Sequence, residues 1–184
     1  PGKEPPLKAQ TCDVGEVLRR VYRRYAAEGI GADLTLDVGY RSFYGRFPSL
    51  ELERVITNLV SNARRHAPHA QSRIGVEEEG EHLFIYVRDN GPGIPAHTLR
   101  ALSEGSTVGS AVKSGWGVGL RSCLAHVRSF GGEISIVSDE GEGTCVTVTI
   151  PRSEAPLEVR MLKVADGGMI RDQLNERLDV CIVD

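Results

Sequence analysis

Two asparagines set four residues apart are the first candidates for chemistry in the sequence. Asn58 and Asn62 occur in a segment with helical periodicity, so both side chains should project from one face of a helix. A carboxamide oxygen is a hard, neutral ligand that suits Mg²⁺ when phosphate groups supply the charged oxygens. The pair is equally compatible with exposed or helix-capping asparagines, and alone it identifies no site.

An aspartate followed by closely spaced glycines is the second candidate. Asp89 ends an apolar strand pattern and opens the segment DNGPGIP, residues 89–95. A carboxylate there can accept a hydrogen bond from an exocyclic amine such as adenine N6, and the glycines let another group approach the backbone. Guanine presents an acceptor at that place, and two buried acceptors that face each other would cost ~1–3 kcal/mol. The segment predicts a preference for adenine, with an ordinary Asp-Asn-Gly turn as the alternative.

A glycine-rich helix start is the third candidate. The segment GWGVGL, residues 115–120, exposes successive N–H groups at the positive end of a predicted helix, where they can cradle phosphates. It is not a Walker loop, because no Gly-Lys-Ser/Thr follows, and not a Rossmann fingerprint, because no strand leads directly into it. Lys113, just before it, is a candidate to meet a γ-phosphate. A flexible hinge and a solvated loop lysine are the alternatives.

Helices and strands that could position these motifs alternate along the chain. A capping box at Asp13 and Glu16 predicts a helix that runs to Gly29, and a second amphipathic helix is predicted over residues 49–66. Alternating apolar residues predict strands at 34–38, 43–47, 73–76, 83–87, 134–137 and 144–150. A third helix is predicted over residues 118–130, after a mobile loop of Gly, Ser and Thr over residues 103–117.

This order predicts one α/β domain. Because neighbouring strands are joined by hairpins as well as by helices, we expect a mixed, mostly antiparallel sheet with helices on one face, a two-layer α/β sandwich. The expected organisation is a Pro-rich linker over residues 1–10, the domain over residues 11–152 and an extension over residues 153–184.

Composition excludes several classes of function. The net charge of −3 gives no electrostatic support to a partner that is a nucleic acid or an anionic membrane. The four cysteines are far apart and form no C-x-x-C pair, so we expect reduced, mostly packed thiols; they are Cys12, Cys123, Cys145 and Cys181. No apolar run is long enough to span a bilayer, so we expect a cytoplasmic segment of a longer protein that could itself be membrane-anchored.

Taken together and in order, the motifs resemble those of the Bergerat-fold ATPase and kinase superfamily. The segment ITNLVSNARRHA resembles its N box, DNGPGIP its G1 box, GWGVGL its G2 box and GEGT, residues 141–144, its last glycine turn. Members related to gyrase and chaperones carry a Glu at the place of Asn58 to activate water, and an asparagine cannot act as a general base. Asn58 therefore indicates the histidine-kinase branch.

The resemblance implies a role for each candidate residue. Asn62 would hold Mg²⁺, Arg65 would reach a phosphate, His66 would lie near the ribose or the phosphates, and Asp89 would read adenine. Catalysis would rest on Asn58, Asn62 and Arg65. The remaining positions expected to contact ATP are Gly91, Gly93, Ile94, Lys113, Gly115, Gly117, Val118, Gly119, Leu120 and Thr144.

The resemblance also implies partners outside the chain. The five histidines all lie inside the catalytic pattern and none begins an acceptor box, so the acceptor histidine is expected on a separate dimerisation domain upstream, with a response regulator beyond it. Residues 99–114 have no aromatic F-box residue, which supports one alternative, a degenerate sensor that binds ATP or ADP without kinase activity. A second alternative is a gyrase- or chaperone-type ATPase, which Asn58 argues against. The tail is similar to the middle of a receiver domain that ends at Asp184, and an ordinary extension is the preferred alternative.

Overall fold

The structure is a computed structural model that describes residues 10–29, 33–39, 41–103 and 117–156. In chain order its elements are β1 (Thr11–Asp13), α1 (Val14–Ala27), β2 (Leu34–Asp37), β3 (Tyr44–Arg46), α2 (Ser49–His66), β4 (Ser72–Glu79), β5 (His82–Asp89), α3 (Ala96–Ser103), α4 (Gly117–Ser129), β6 (Glu133–Asp139) and β7 (Gly143–Pro151). The chain divides into two compact units, residues 1–153 and 154–184, and all these elements belong to the first. None of the described helices is both long and apolar enough to cross a lipid bilayer.

The main sheet has five strands in the order β2-β4-β5-β7-β6. β2 pairs with β4 in parallel, whereas β4–β5, β5–β7 and β7–β6 are antiparallel. β1 and β3 form a separate two-stranded antiparallel sheet. The expected mixed, mostly antiparallel sheet is therefore confirmed.

Helices α1, α2 and α4 cover one face of this sheet. Alternate residues of β5 and β7 point into the interface and are almost fully buried, as are the apolar stripes of α1 and α2. The largest fully buried side chains are Phe47, Leu18, Leu34, Leu52, Ile56, Ile74, Leu83, Ile85, Ile94, Leu120, Ile150 and Val14. The predicted two-layer α/β sandwich is confirmed, and burial of these stripes is its main stabilising contribution.

The caps of α1 and α2 follow from the sequence. The Asp13 carboxylate accepts a hydrogen bond of 3.2 Å from the Glu16 N–H, so one half of the expected capping box is formed. Gly29 follows the C-terminus of α1, and its φ of 75° favours glycine. α2 ends at His66, two residues before Pro68, as the helix-stop signal predicts.

The second face of the sheet carries polar and aromatic side chains. The Tyr86 ring lies against Gly75, where a Cβ atom would collide with it, and its hydroxyl donates a 2.8 Å hydrogen bond to Asp37. Burial, and then this bond, raise the pKa of Tyr86 to about 12. Farther along this face, Val137 on the edge strand β6 is 67% exposed.

Some expectations differ from the structure and others lie outside the described residues. The short strand β1 and helix α3 are present although the sequence patterns did not predict them. Most of the expected mobile loop, residues 104–116, and most of the receiver-like tail, residues 157–184, lie outside the described part of the chain.

Candidate functional site

Asn62 and Asp89 approach the same small cavity from two different elements. Asn62 lies on α2 and is 8% exposed, and Asp89 ends β5 and is 6% exposed. The cavity lies between α2, the ends of β5 and β7, and α4; its lining residues are Leu59, Asn62, Ala63, Val87, Asp89, Leu120, Thr144 and Val146. One amide, one carboxylate and one threonine among apolar side chains suit a flat heterocycle with a few polar edges.

This cavity is small. Its volume is about 10 Å³, roughly the space of one water molecule. A ring the size of a nucleobase can enter only if a lining residue moves. Leu120, the last residue of the GWGVGL segment, lies in the first turn of α4 and is 1% exposed.

The Asp89 carboxylate is held by backbone groups. Its Oδ1 accepts a 2.9 Å hydrogen bond from the Gly91 N–H, and Thr144, its register partner on β7, also donates through its backbone. Burial raises the pKa of Asp89, and these two hydrogen bonds oppose that rise only in part. An exocyclic amine would give the carboxylate a further donor, so the site favours a ligand that presents N–H at this point.

Two glycines bring the loop after β5 against the turn between β6 and β7. Gly93 has a φ of 72° and Gly143 a φ of 103°, values that favour glycine. A Cβ atom on Gly93 would collide with the Asp139 carbonyl oxygen, and one on Gly143 with the Asp89 carbonyl oxygen. Both glycines are therefore required by close backbone approach.

Hydrogen bonds fasten the same loop to the same turn. The Gly141 N–H donates to the Pro92 carbonyl at 2.9 Å, and the Ile94 N–H donates to Ser138 Oγ at 2.8 Å. Ser138 Oγ also lies 2.9 Å from Thr144 Oγ1. The segments DNGPGIP and GEGT, which are about fifty residues apart in the sequence, therefore form one connected wall of the site.

Asn58 lies beside a second cavity. Its side chain is exposed, and the cavity of about 90 Å³ is lined by Arg54, Val55, Asn58, Ser122, Cys123 and His126. Burial raises the pKa of the Cys123 thiol, and a hydrogen bond with Asn58 opposes that rise in part. Asn58 and Asn62 thus line two different, neighbouring cavities along α2.

Glu51 and His126 form a close contact that sequence reasoning missed. His126 Nε2 on α4 lies 2.6 Å from Glu51 Oε2 at the start of α2, and both side chains are about one third exposed. Glu51 precedes Asn58 by two helical turns, so the sequence indicates that Glu51 and Asn58 share a face of α2. It does not indicate the contact of Glu51 with His126. Ser138, which bonds the DNGPGIP loop, was also missed, because it belongs to no motif.

The other predicted site residues are distributed as follows. Arg65 is exposed in the last turn of α2, and His66 beside it is partly buried. Gly117, Val118 and Gly119 are the first residues of α4, and Gly91 and Ile94 belong to the loop already described. Lys113 and Gly115 lie outside the described residues.

The donor set indicates how a metal ion could be held. Among the described residues, no group of three or more His, Cys, Asp or Glu side chains could hold a metal ion by itself. Asn62 offers one neutral oxygen ligand beside a cavity. Such a set fits Mg²⁺ that keeps several waters and takes its charged ligands from a substrate's phosphates.

Comparison with known sequences gives consistent matches. Residues 48–154 match the family described as Histidine kinase-, DNA gyrase B-, and HSP90-like ATPase. The alginate biosynthesis sensor protein KinB of Pseudomonas aeruginosa is 30% identical over 148 residues, which are 79% of this chain and 25% of KinB. Sensor histidine kinase WalK of Bacillus subtilis is 32% identical over 62% of this chain and 20% of WalK. The chain thus spans a quarter or less of these relatives.

Comparison with solved structures supports the fold. The catalytic domain of histidine kinase ThkA superposes with a TM-score of 0.65 at 21% identity, over 79% of this chain and 97% of that domain. Histidine kinase AdeS of Acinetobacter baumannii gives a TM-score of 0.60 at 20% identity, over 80% of this chain and 70% of that structure. Both agree with the observed mixed sheet covered by helices on one face.

Proposed function

Because the chain belongs to the histidine kinase-, DNA gyrase B- and HSP90-like ATPase family, and within it to the catalytic ATP-binding domains of sensor histidine kinases, we propose that it donates the γ-phosphoryl group of Mg²⁺-bound ATP to a histidine on a separate dimerisation domain. A response regulator then receives the phosphoryl group from that histidine. Since ATP is a cytoplasmic substrate, this domain works on the cytoplasmic side, whatever anchors the whole protein.

The observation that carries the proposal is the meeting of Asn62 and Asp89 at one cavity. In the proposed complex Asp89 accepts the adenine amine, and the apolar lining formed by Leu59, Val87 and Leu120 covers the base. The first turn of α4 offers unsatisfied N–H groups for phosphates. Arg65 and His66, at the end of α2, lie beside the phosphates and the ribose in this complex.

Asn62 is the proposed Mg²⁺ ligand. When bound, the ion would neutralise charge on the β- and γ-phosphates, which is the main requirement of phosphoryl transfer. Asn62 orients that end of the nucleotide, while Asp89 and its backbone partners orient the base. The transferred group is thereby positioned for a nucleophile that approaches from outside the domain.

Two other functions are distinguished by particular residues. A gyrase- or chaperone-type ATPase needs a general base to activate water, and Asn58 cannot supply one. A sensor that binds ATP or ADP without transferring phosphate is favoured by one feature, the absence of any aromatic residue between Leu99 and Ser114. Phosphotransfer to an added acceptor domain separates the sensor from the kinase.

The site is tested by measuring binding of a fluorescent ATP analogue with and without Mg²⁺. We expect Asn62→Ala to weaken binding about tenfold in Mg²⁺ and much less in its absence. We expect Asp89→Asn to weaken it at least about tenfold, because a hydrogen bond to a charged group contributes ~1.5–3 kcal/mol, and to reduce the preference for ATP over GTP. Ser61→Ala, an exposed position on the same helix, is the matched control. Parent-like binding by both variants would place the nucleotide elsewhere.

A further inference from the structure

A larger cavity lies at the sheet face that carries Thr35, Arg73 and Arg88. Its volume is about 300 Å³, at the small end of the range for small-molecule sites. Its lining residues are Thr35, Gln71, Ser72, Arg73, Arg88, Asp89, Asn90 and Glu142. The cavity therefore borders the same loop as the nucleotide site but opens beside a different set of side chains.

Two arginines lie side by side at this cavity. Arg73 on β4 and Arg88 on β5 are directly opposite in the antiparallel register, so their Cβ atoms are ~4.5–5.5 Å apart. Both side chains are exposed, Arg73 by 62%. Like charges placed opposite each other on a sheet destabilise it, and an anion between them removes that repulsion.

Neither arginine is strongly neutralised by the protein. The carboxylate nearest to Arg73 is Asp37, at 4.0 Å, and it already accepts the Tyr86 hydroxyl. Within the described residues, Arg88 has no ion pair at 4.0 Å or less. Two carboxylates border the cavity: Glu142 on the turn between β6 and β7 is exposed, whereas Asp89 is buried.

Polar groups beside the arginines are already in place. The Gln71 N–H donates a 2.7 Å hydrogen bond to Asn90 Oδ1, and the Asn90 N–H donates to the Gln71 carbonyl at 3.2 Å. This pair fixes one wall of the cavity, and the Asn90 NH₂ group is a further donor for an anion. Thr35, which is opposite Arg73 on β2, borders the other side.

We propose that this cavity binds a small oxyanion with two negative charges, such as a phosphate group or a dicarboxylate, between Arg73 and Arg88. Two guanidinium groups match two oxygens of such a group through charge-assisted, paired hydrogen bonds. A nucleic acid is disfavoured, because its backbone needs a longer track of basic residues and the chain has a net charge of −3. The site is distinct from the nucleotide site, so both ligands bind together.

The test is an NMR titration of the whole chain, saturated with a non-hydrolysable ATP analogue and Mg²⁺. Sodium phosphate and sodium succinate are added separately at constant ionic strength, with sodium chloride as the reference. We expect saturable shifts of the amides of residues 71–73 and 88–90, with half-saturation below about 10 mM for at least one oxyanion. Shifts that stay linear in oxyanion concentration, or the absence of shifts in this nucleotide-saturated chain, would refute the proposal.

Variants separate this site from the nucleotide site. Arg73→Gln and Arg88→Gln should each weaken oxyanion binding at least about fivefold and leave ATP binding unchanged. Glu142→Gln, which removes a carboxylate at the rim of the cavity, should tighten oxyanion binding. Arg23→Gln, at an exposed arginine of α1, is the matched control. Asn62→Ala should retain oxyanion binding even if it loses ATP. Undiminished binding by the Arg73→Gln/Arg88→Gln double variant would overturn the assignment.

Discussion

At the scale of single residues, Asp89 combines an energetic cost in the folded protein with a proposed role in nucleotide binding. Its carboxylate is 6% exposed, and burial raises its pKa. A charged group kept out of water destabilises the fold unless a ligand compensates it. Asp89, which is proposed to read the base, is therefore expected to limit the stability of the ligand-free protein.

Replacing Asp89 by Asn tests this relation through pH. A carboxyl with a raised pKa binds its proton more tightly in the folded than in the unfolded state, so stability falls as pH rises from about 4 through the folded pKa. Asparagine does not titrate. We expect the stability of Asp89→Asn relative to the parent to rise from pH 3 to pH 7, with the variant at least as stable as the parent at pH 7.

Urea unfolding of both proteins at several pH values, without nucleotide, measures this difference. Asp33→Asn, on an exposed residue, corrects for the loss of one charge. A variant that becomes progressively less stable than the parent as pH rises would contradict the stated direction.

How much of the site could be predicted depends on whether a residue belongs to a local pattern. The approach of Asn62 to Asp89 follows from two motifs considered together. One motif fixes the helix face that carries Asn62 and the other fixes the strand end that carries Asp89, so few arrangements of the helix on the sheet are possible. The contacts of Ser138 with the DNGPGIP loop and of His126 with Glu51 are tertiary, between residues 44 and 75 apart in sequence. Neither pattern nor composition indicates such pairs.

At the scale of elements, α2 and α4 are joined by polar contacts as well as by their apolar sides. His126 on α4 contacts Glu51 on α2, and its ring also meets the edge of the Phe130 ring at a centroid distance of 5.2 Å. Phe130 in turn packs against Phe47. This chain of contacts holds the helix whose first turn is proposed to bind phosphates.

Replacing His126 by Ala should loosen α4. Loss of the contact with Glu51 and of the aromatic edge contact is expected to lower the free energy of unfolding by roughly 1–2 kcal/mol. Hydrogen exchange of α4 amides should accelerate more than that of α1 amides. His69→Ala, in the exposed segment after α2, is the control and should change neither quantity. Unchanged exchange in α4 of His126→Ala would show that the contact does not hold this helix.

The elements that the sequence predicted are those with long periodic patterns. α1, α2, α4 and the strands of the main sheet agree closely with the prediction, because their apolar stripes determine which face is buried. β1 has only three residues and depends on pairing with β3, so no periodicity could reveal it. α3 has eight residues and follows two prolines, and about two turns are too few for a helical period to be distinct in the sequence.

At the scale of the whole molecule, the chain contains a nucleotide site but no recognisable acceptor. The described histidines are distributed over α2, the segment after it, β5, α3 and α4; they are His66, His69, His82, His97 and His126. His66 follows Asn62 on the same helix, so it should lie beside the phosphates rather than in line behind them. We therefore expect phosphotransfer to need an acceptor on a second domain.

We expect this chain to bind ATP without labelling itself and without releasing phosphate at a useful rate. Incubation with γ-labelled ATP and Mg²⁺ should leave the protein unlabelled, because none of the described histidines is expected in line with the γ-phosphate and Asn58 cannot act as a base for water. Addition of the proposed dimerisation domain with its acceptor histidine should produce acid-labile label on that domain alone. Brisk phosphate release that Asn58→Ala abolishes would instead identify an ATPase.

The position of β6 at the edge of the main sheet has a consequence for solubility. Within the described residues β6 pairs only with β7, which leaves a row of backbone donors and acceptors on its other side open to a second molecule. Val137 adds an exposed apolar side chain there, while Glu133 and Asp139 at the ends of the strand supply repulsive charge. Because the pI of the protein is about 6.0, its net charge approaches zero in mildly acidic buffer, and the electrostatic repulsion between molecules is lost. Edge-to-edge aggregation, rather than unfolding, should then limit the concentration at which the protein can be handled.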